Sequence, residues 1–250
     1  MKSLPAISAQ IDEKIINKVI QKKFALLSPY YYSFMSNWLI RAYKRYDDID
    51  KFLIIVYLIH KNLVFYKKNA LVVDYDSFYK DRTIEIEKIN ISEISHDLKI
   101  PKESVRRKIL YLEKKRLIKR IGKKIFVDRS TFLNAKATDT LKELCILLNE
   151  FNKLLKKEKI IDSVFELKEI DKSIKNNFSF CLYQLNKFLF IYFNRWRPEM
   201  KDLETLTIAM LVVLNATQNK EFKPSKLSIK SYREEIMGSD FRGVNAMSIS

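Results

Sequence analysis

The sequence predicts a mainly α-helical protein that carries one small β-hairpin. Only three glycines and five prolines occur among its 250 residues, and 47% of the residues are hydrophobic, which favours long helices and few turns. Apolar residues recur three and four positions apart along much of the chain, the spacing of one helix face. A Gly-Lys pair, Gly122-Lys123, separates two short β-prone runs, which is the pattern of a tight two-residue hairpin.

The first 46 residues are predicted to be helical. A first helix is expected over residues 8–27, where isoleucines and valines lie on one side. Ser28-Pro29 then has the form of a helix start, with the serine as cap and the proline in first position. The aromatic residues between Tyr30 and Tyr43 are clustered at helical spacing, which favours core or helix–helix packing over stacking on unpaired bases.

A second predicted helix begins after the acidic pair Asp47-Asp48 and runs to about Lys67. Its most apolar run, Phe52–Ile59, is eight residues long, far short of the ~20 residues that span a bilayer. Residues 68–82 are expected to form a loop. Residues 82–89 alternate imperfectly between apolar and polar side chains, which predicts a short strand that pairs with the hairpin.

The most distinctive pattern runs from Asn90 to Asp128 and predicts a short helix, a tight turn filled by Ile100, a longer helix and the hairpin. Pro101 stands at the start of the longer helix, where its missing N–H sacrifices no hydrogen bond. The apolar residues of both helices fall three and four apart. They are Ile91, Ile94 and Leu98 in the first helix and Val105, Ile109 and Leu112 in the second.

Positive charge is concentrated in the same segment. The chain carries a formal net charge of +17, and Lys99–Lys124 alone contains twelve Lys or Arg and two Glu. A helix face that is merely solvated usually mixes both signs. Such one-sided charge on the turn, the longer helix and the hairpin of this pattern is what the neutralisation of nucleic-acid phosphates requires.

These residues resemble the winged helix-turn-helix domain of bacterial transcriptional regulators. The resemblance covers Asp47–Asp128 if the preceding helix is counted, and is most specific over Ile91–Ile118, so a winged helix-turn-helix domain is expected over residues 47–130. It implies that the second helix of the motif enters the major groove of double-stranded DNA and that the hairpin, the wing, lies along the backbone. One position departs from the pattern, because Lys99 occupies the turn position usually taken by glycine, so the turn is expected to differ or to be mildly strained.

The resemblance implies two sets of DNA contacts. The residues expected to read bases are Lys102, Glu103, Ser104, Arg106 and Arg107. The residues expected to contact the backbone are Ser92, Lys99, Lys119, Arg120, Lys123 and Lys124. An arginine of the first set would bind a guanine and Glu103 would accept from a cytosine amine or hold an arginine in place, whereas the second set adds affinity without sequence information.

Residues 131–200 are predicted to form a helical connector. Leu141–Leu155 traces one apolar stripe over four turns, and residues 174–196 form a second long helix that ends at Arg197-Pro198. These two helices are the candidates for an oligomerisation element, so we expect a homodimer.

Residues 201–250 echo the earlier module and predict a second, incomplete winged-helix repeat. An acidic cap before an apolar helix, a basic loop with an aromatic residue, and a short Asn-containing segment recur in order, at offsets of 154 to 155. The paired segments are Asp48–His60 with Asp202–Leu214, Ser77–Asp81 with Ser231–Glu235, and Ile89–Ser95 with Val244–Ser250. We expect residues 238–250 to pack poorly, as in a truncated or decayed second copy.

No catalytic or metal-binding pattern is visible in the sequence. His60 is predicted at a helix surface or loop and His96 on the exposed side of its helix, and Cys145 and Cys181 are expected to be buried thiols. We therefore expect no enzyme activity, no cofactor and no metal, and a cytoplasmic protein without a membrane segment. An effector ligand cannot be named from the sequence.

The sequence is compatible with three functions. The first is a transcriptional regulator that binds a two-fold DNA site as a dimer. The second is a plasmid-type replication initiator with tandem winged helices, which the echo favours. The third is a winged-helix protein-interaction module, since basic helices also bind acidic partners.

Overall fold

The computed structural model describes residues 11–80, 83–86, 90–122, 124–130, 137–200, 202–218 and 228–238. These residues are mostly helical and include one three-stranded antiparallel sheet, so the predicted mainly α class is confirmed. They divide into two compact units. Unit 1 comprises Ile40–Thr138 and Lys172–Leu206, and unit 2 comprises residues 11–39, Asp139–Asp171 and 207–238. The four sequence segments expected as domains stay a prediction.

The elements follow one another with short connections. In chain order they are α1 (Glu13–Tyr46), α2 (Ile49–Lys68), α3 (Tyr75–Lys80), β1 (Thr83–Ile86), α4 (Ile91–Leu98), α5 (Lys102–Lys114), β2 (Ile118–Ile121), β3 (Lys124–Asp128), α6 (Ala137–Lys157), α7 (Leu167–Asn176), α8 (Phe178–Trp196), α9 (Leu203–Gln218) and α10 (Ile229–Gly238). Within the described part of the chain, none of these helices combines the length and apolar character needed to cross a membrane.

Helix α1 runs through the position where the sequence predicted a helix start. The prediction of a new helix at Ser28-Pro29 is wrong, because the break lies at Lys23, whose φ of −127° and ψ of 22° are not helical. Pro29 has no N–H to donate to the carbonyl of Ala25, four residues earlier. The hydroxyl of Ser28 donates to that carbonyl at 3.2 Å instead, so the helix tolerates the proline.

Helix α2 is the centre of unit 1. The apolar run Phe52–Ile59 is buried on all sides, because α4, α5, α8 and strands β1 and β3 all contact this helix. Its predicted cap is confirmed, since the Asp48 carboxylate accepts the N–H of Lys51 at 2.9 Å. A helix that is apolar all round needs such a complete covering to stay folded in water.

The sheet has the order β1-β3-β2, with β3 in the middle and both pairings antiparallel. The predicted strand before the helical motif is therefore confirmed, since β1 pairs with β3. Ile84 and Ile118 lie opposite Val127 from either side, and all three are buried. Alternation along the strands places these side chains on the face that packs against the helices, whereas their neighbours are half-buried or exposed.

Two other helix boundaries differ from the sequence predictions. The region expected to be a loop, residues 68–82, contains α3, which is held by the buried ring of Phe78. The single helix expected over residues 174–196 is two helices, α7 and α8, separated at Asn177. Its predicted end is confirmed, because α8 stops at Trp196. The predicted helix that contains Leu141 is confirmed as α6.

Unit 2 has a core of its own. Leu154 and Leu155 of α6 pack with Val19 and Leu27 of α1, and partly buried isoleucines surround them. Polar contacts join the same two helices, since Asn37 Nδ2 donates to Glu143 Oε1 at 3.0 Å. The cysteine of α6, Cys145, is buried and forms no disulfide, as predicted, whereas Cys181 of α8 is only half-buried.

Helices α9 and α10 repeat the start positions and caps of α2 and α3. The first residues of α2 and α9, Ile49 and Leu203, are 154 positions apart, as are Tyr75 and Ile229 of α3 and α10. Asp202 caps α9 as Asp48 caps α2. Its carboxylate accepts the N–H of Thr205, three residues later, at 2.6 Å. The remainder of the predicted repeat, residues 239–250, lies outside the described residues.

Caps also match between α3 and α10. Asp74 accepts the N–H of Ser77 at 2.9 Å, and Ser228 accepts that of Ser231 at 3.3 Å. One residue further along, Phe78 and Tyr232 are each 2% exposed. Spacing, cap and buried ring thus recur together.

Candidate nucleic-acid interface

Helices α4 and α5 are joined by a short turn that is closed by backbone hydrogen bonds. Lys99 adopts a left-handed conformation, with φ 52° and ψ 40°. Its N–H bonds the carbonyl of His96, and the N–H of Ile100 bonds that of Ser95 at 3.1 Å, the pattern that ends many helices at a glycine. Ile100 is 1% exposed. The turn therefore keeps the left-handed conformation usually taken by glycine, at a residue whose Cβ makes a positive φ uncommon.

The buried side of α5 is entirely apolar. Val105, Ile109 and Leu112 are at most 3% exposed, as the spacing predicted. On the opposite side lie five exposed residues, which we call the exposed stripe. They are Glu103, Arg106, Arg107, Leu110 and Lys114. Apart from Leu110, every member of the stripe is charged, so most of the ionic groups of α5 lie opposite its apolar side.

The predicted base-reading residues differ in accessibility. Lys102, Glu103, Arg106 and Arg107 are exposed, whereas Ser104 is half-buried. Arg106 lies 3.8 Å from Glu103, an exposed pair that solvent screens. Arg107 reaches only the hydroxyl of Ser104, at 3.5 Å. The two arginines are therefore available to an external partner.

The flank of α5 is anchored to the beginning of α2. Lys108 forms ion pairs with Asp48 and Asp50, and the Tyr111 hydroxyl donates to Asp47 Oδ2 at 2.9 Å. These contacts between α5 and the acidic residues of Asp47–Asp50 were not predicted from the sequence, because the two segments are about 60 residues apart. Such contacts fix the rotation of α5 and so determine which side chains point outward.

The hairpin carries cations beside α5. Gly122 has φ 58°, a conformation that a two-residue turn requires, and Ile121 pairs with Lys124 across it, as predicted. Arg120 forms a forked ion pair with Glu113 of α5, which places the hairpin next to the helix. Lys124 is paired with Glu85 of β1. Lys123 lies outside the described residues.

Two further residues predicted to contact the backbone lie on α4 and its turn. Ser92 is exposed in the first turn of α4, where Asn90 Oδ1 accepts its N–H at 3.0 Å. Lys99 is exposed, and its ammonium donates to the carbonyl of Asn194 in α8 at 3.3 Å. Since that carbonyl is near the C-terminus of α8, the helix dipole also favours the cation.

Several cations of this region have no ionic partner. Among the residues that the structure describes, six exposed basic side chains of α5 and the segment after it make no ion pair. They are Lys102, Arg107, Lys114, Lys115, Arg116 and Lys119. Of these, Lys114, Lys115 and Arg116 were not among the predicted contacts, although the stripe spacing of 103, 107, 110 and 114 identifies Lys114.

No protein-family model matches the chain, and searches of characterised proteins and of solved structures returned no match either. A functional interpretation therefore depends on geometry and charge alone. Within the described ranges, no three His, Cys, Asp or Glu side chains are grouped so that they could hold a metal ion.

A cluster of hydrogen bonds and one ion pair joins α4 to α2 and α8. The Tyr57 hydroxyl of α2 donates to Asp97 Oδ2 at 2.6 Å, and Lys61 pairs with Glu93. Burial, followed by the bond to Asp97, raises the pKa of Tyr57. Burial also raises the pKa of Asp97, but the hydrogen bonds from Tyr57 and His96 outweigh it and hold that pKa below its usual value. The amide of Asn194 donates to the Asp97 carbonyl at 2.8 Å.

The two histidines have different surroundings. His96 is exposed, as predicted. The prediction of a surface position for His60 is wrong, because its ring stacks on Tyr183 with centroids 4.8 Å apart and meets Phe190 edge-on at 5.2 Å. Burial, together with Lys61 and other nearby lysines, lowers the pKa of His60 to about 4. The neutral ring is a structural part of the contact between α2 and α8.

Proposed function

We propose that the chain binds double-stranded DNA through a winged helix-turn-helix formed by α2, β1, α4, α5, β2 and β3, and that it acts as a sequence-specific transcriptional regulator. The observation that carries the proposal is the exposed stripe. One side of α5 is wholly apolar and buried, while the other presents arginines and lysines that have few internal partners.

The dimensions of α5 suit the major groove. Its 13 residues correspond to a length of about 20 Å, and a helix with its side chains is about 10–12 Å across. The major groove is about 12 Å wide and admits one helix. Arg106 and Arg107 would bind guanine edges in a forked manner, and Glu103 would accept from a cytosine amine or hold Arg106.

The hairpin would then supply phosphate contacts. Lys119 is exposed and without an ion pair among the described residues, and Arg120 and Lys124 are exposed, although each contacts a carboxylate. Lys123, Ser92 and Lys99 complete the proposed backbone set. Contacts of this type add affinity at every sequence, and their strength depends on salt because each releases counterions from the DNA.

The test is fluorescence anisotropy with labelled duplexes of mixed sequence over a series of salt concentrations. For about six neutralised phosphates, the logarithm of the association constant should fall with the logarithm of salt concentration with a slope near −5. The double variant Arg106→Ala/Arg107→Ala should bind more weakly and lose sequence preference. The matched control is Lys156→Ala/Lys157→Ala, which removes two exposed charges from α6.

The control variant is expected to bind like the wild type. Binding that is absent, or that is insensitive to salt and equal in all three proteins, would exclude DNA as the partner. If both double variants weaken binding equally at every sequence, the chain binds DNA only through its net charge and α5 does not read the groove.

The repeated helices favour a second candidate function, that of a plasmid-type replication initiator with tandem winged helices. Helices α9 and α10 repeat the spacing, caps and buried ring of α2 and α3. A chain that carries two such modules binds two neighbouring DNA sites as a monomer, whereas a single-module regulator needs a dimer for a two-fold site.

Analytical ultracentrifugation of the complex with a selected duplex separates the two candidates. A complex of two chains on a palindromic site supports the regulator. A complex of one chain on a directly repeated site supports the initiator.

A further inference from the structure

One apolar side chain interrupts the charged face of α5. Leu110 is 51% exposed and lies in the exposed stripe between Arg106 and Lys114, four residues from each. The two other members of the stripe, Glu103 and Arg107, are also charged. The buried side of the helix, formed by Val105, Ile109 and Leu112, is complete without it. Leu110 therefore adds nothing to the core and leaves apolar area in water.

Neighbouring groups do not cover this leucine from the sides. Lys108 and Tyr111, on the flank of α5, are turned toward the acidic start of α2. Glu113 is turned toward the hairpin, where it holds Arg120. The members of the stripe nearest to Leu110 along the helix, at positions 106, 107 and 114, are exposed cations, and about half of the leucine remains exposed beside them.

We infer that Leu110 contacts the C5-methyl group of a thymine in the DNA major groove, and so determines specificity at one base pair. The inference rests on the proposed function, because it requires α5 to lie in the groove. Thymine is the only standard base that presents a methyl group there, and apolar side chains recognise it by contact. Cytosine, guanine and adenine present polar groups at that edge, which a leucine would desolvate without pairing.

The helix geometry limits where that thymine lies. Four residues of helix correspond to about 6 Å along the axis, and successive base pairs are about 3.4 Å apart. The methyl group therefore belongs to a base pair within about two steps of the pair that Arg106 contacts. The arginine would select a guanine through hydrogen bonds, and Leu110 would select its neighbour through a methyl group.

The experiment replaces thymine by deoxyuridine, which removes only the methyl group. A high-affinity duplex is first selected from a random library with the wild-type protein, and each thymine is then replaced singly. The wild type should lose about fourfold in affinity at one position, the value of one buried methyl group. Leu110→Ala should show no loss at that position and should keep the wild-type salt slope, since no charge has changed.

The matched control is Ile121→Ala, which truncates an equally exposed apolar side chain, 53% exposed, on the hairpin. It should retain the fourfold deoxyuridine effect. An effect that persists in Leu110→Ala, or a selected site in which no thymine methyl matters to the wild type, overturns the inference about Leu110. If Arg106→Ala/Arg107→Ala still weakens and flattens binding, the proposed function stands despite that failure. If no duplex is selected, the proposed function fails as well.

Discussion

Glu113 of α5 holds Arg120 of β2 in a forked ion pair. Arg120 Nη2 donates to Glu113 Oε2 at 2.6 Å, and Nε donates to the other carboxylate oxygen. The geometry is that of a planar guanidinium on a planar carboxylate, which is stronger than a single contact. The pair joins the helix to the hairpin, and it also withdraws one arginine from the surface that we propose to face DNA.

Releasing Arg120 should therefore strengthen DNA binding. In Glu113→Gln the guanidinium loses its ionic partner and becomes available to a phosphate, so the salt slope should become steeper by about one unit. Anisotropy across a salt series measures this change. The control is Glu150→Gln, which removes an acid paired with Lys153 in α6 and changes the net charge equally. Equal effects of the two substitutions would mean that only net charge matters.

The left-handed turn at Lys99 predicts a gain in stability on substitution by glycine. A residue with a Cβ at φ 52° carries a steric cost that glycine avoids. Lys99→Gly should therefore exceed Lys99→Ala in free energy of unfolding by about 1 kcal/mol, measured by urea denaturation. Both variants lose the ammonium that contacts Asn194, so their salt slopes for DNA binding should be equal. Equal stability of the two would show that the turn is unstrained.

The half-buried ring of His60 predicts a loss of stability in mild acid. Its pKa in the folded protein is about 4, below the ordinary value of 6.5, so the unfolded chain binds more protons between these values. The free energy of unfolding should therefore fall as pH drops from 6.5 to 4, by about 2 kcal/mol after allowance for the partly exposed ring.

Urea denaturation at a series of pH values tests this effect. His60→Phe keeps a ring against Tyr183 and should remove the histidine contribution to the pH dependence, whereas His96→Asn, on the exposed side of α4, should retain it. If His60→Phe follows the wild-type curve throughout, the burial of the neutral imidazole does not govern stability.

Asp48 has two roles that substitution separates. Its carboxylate caps α2 by accepting the N–H of Lys51 and also pairs with Lys108 of α5. Asp48→Asn keeps a capping oxygen and loses the charge, and Lys108 retains Asp50 as a partner. Asp48→Ala loses both roles and should be less stable than Asp48→Asn by about 1 kcal/mol in thermal or urea unfolding. If Asp48→Ala and Asp48→Asn are equally stable, the contribution of Asp48 to stability comes from its ion pair with Lys108 and not from the cap.

Local patterns were sufficient for most of the elements around the proposed interface. The three-and-four spacing of Ile91, Ile94 and Leu98 predicted the short helix, and that of Val105, Ile109 and Leu112 predicted the longer one. Gly122-Lys123 predicted the hairpin, because these signals act over a few residues. The misplaced boundary at Ser28-Pro29 has a local cause that the pattern did not reveal. A proline in a helical pattern usually predicts a helix start, because it cannot donate to the carbonyl four residues earlier. Here the Ser28 hydroxyl donates to that carbonyl, on Ala25, so the helix continues through Pro29.

Long-range contacts escaped the sequence analysis. Lys108 and its partner Asp48 are 60 residues apart, and His60 stacks on Tyr183 across 123 positions. Neither pairing has a periodic signal, since any surface lysine or helix histidine has the same local sequence context. Only the packing of α5 and α8 against α2 brings these groups together.

The sequence by itself determined the mainly helical class, the apolar sides of α4 and α5 and the concentration of positive charge between Lys99 and Lys124, since periodicity and composition are properties of neighbouring residues. The tertiary structure decided which of those charges are free. It paired Lys108, Arg120 and Lys124 with carboxylates from other elements and left Lys102 and Lys119 without an ionic partner among the described residues. An ion pair depends on distances between elements, and those distances exist only in the folded chain.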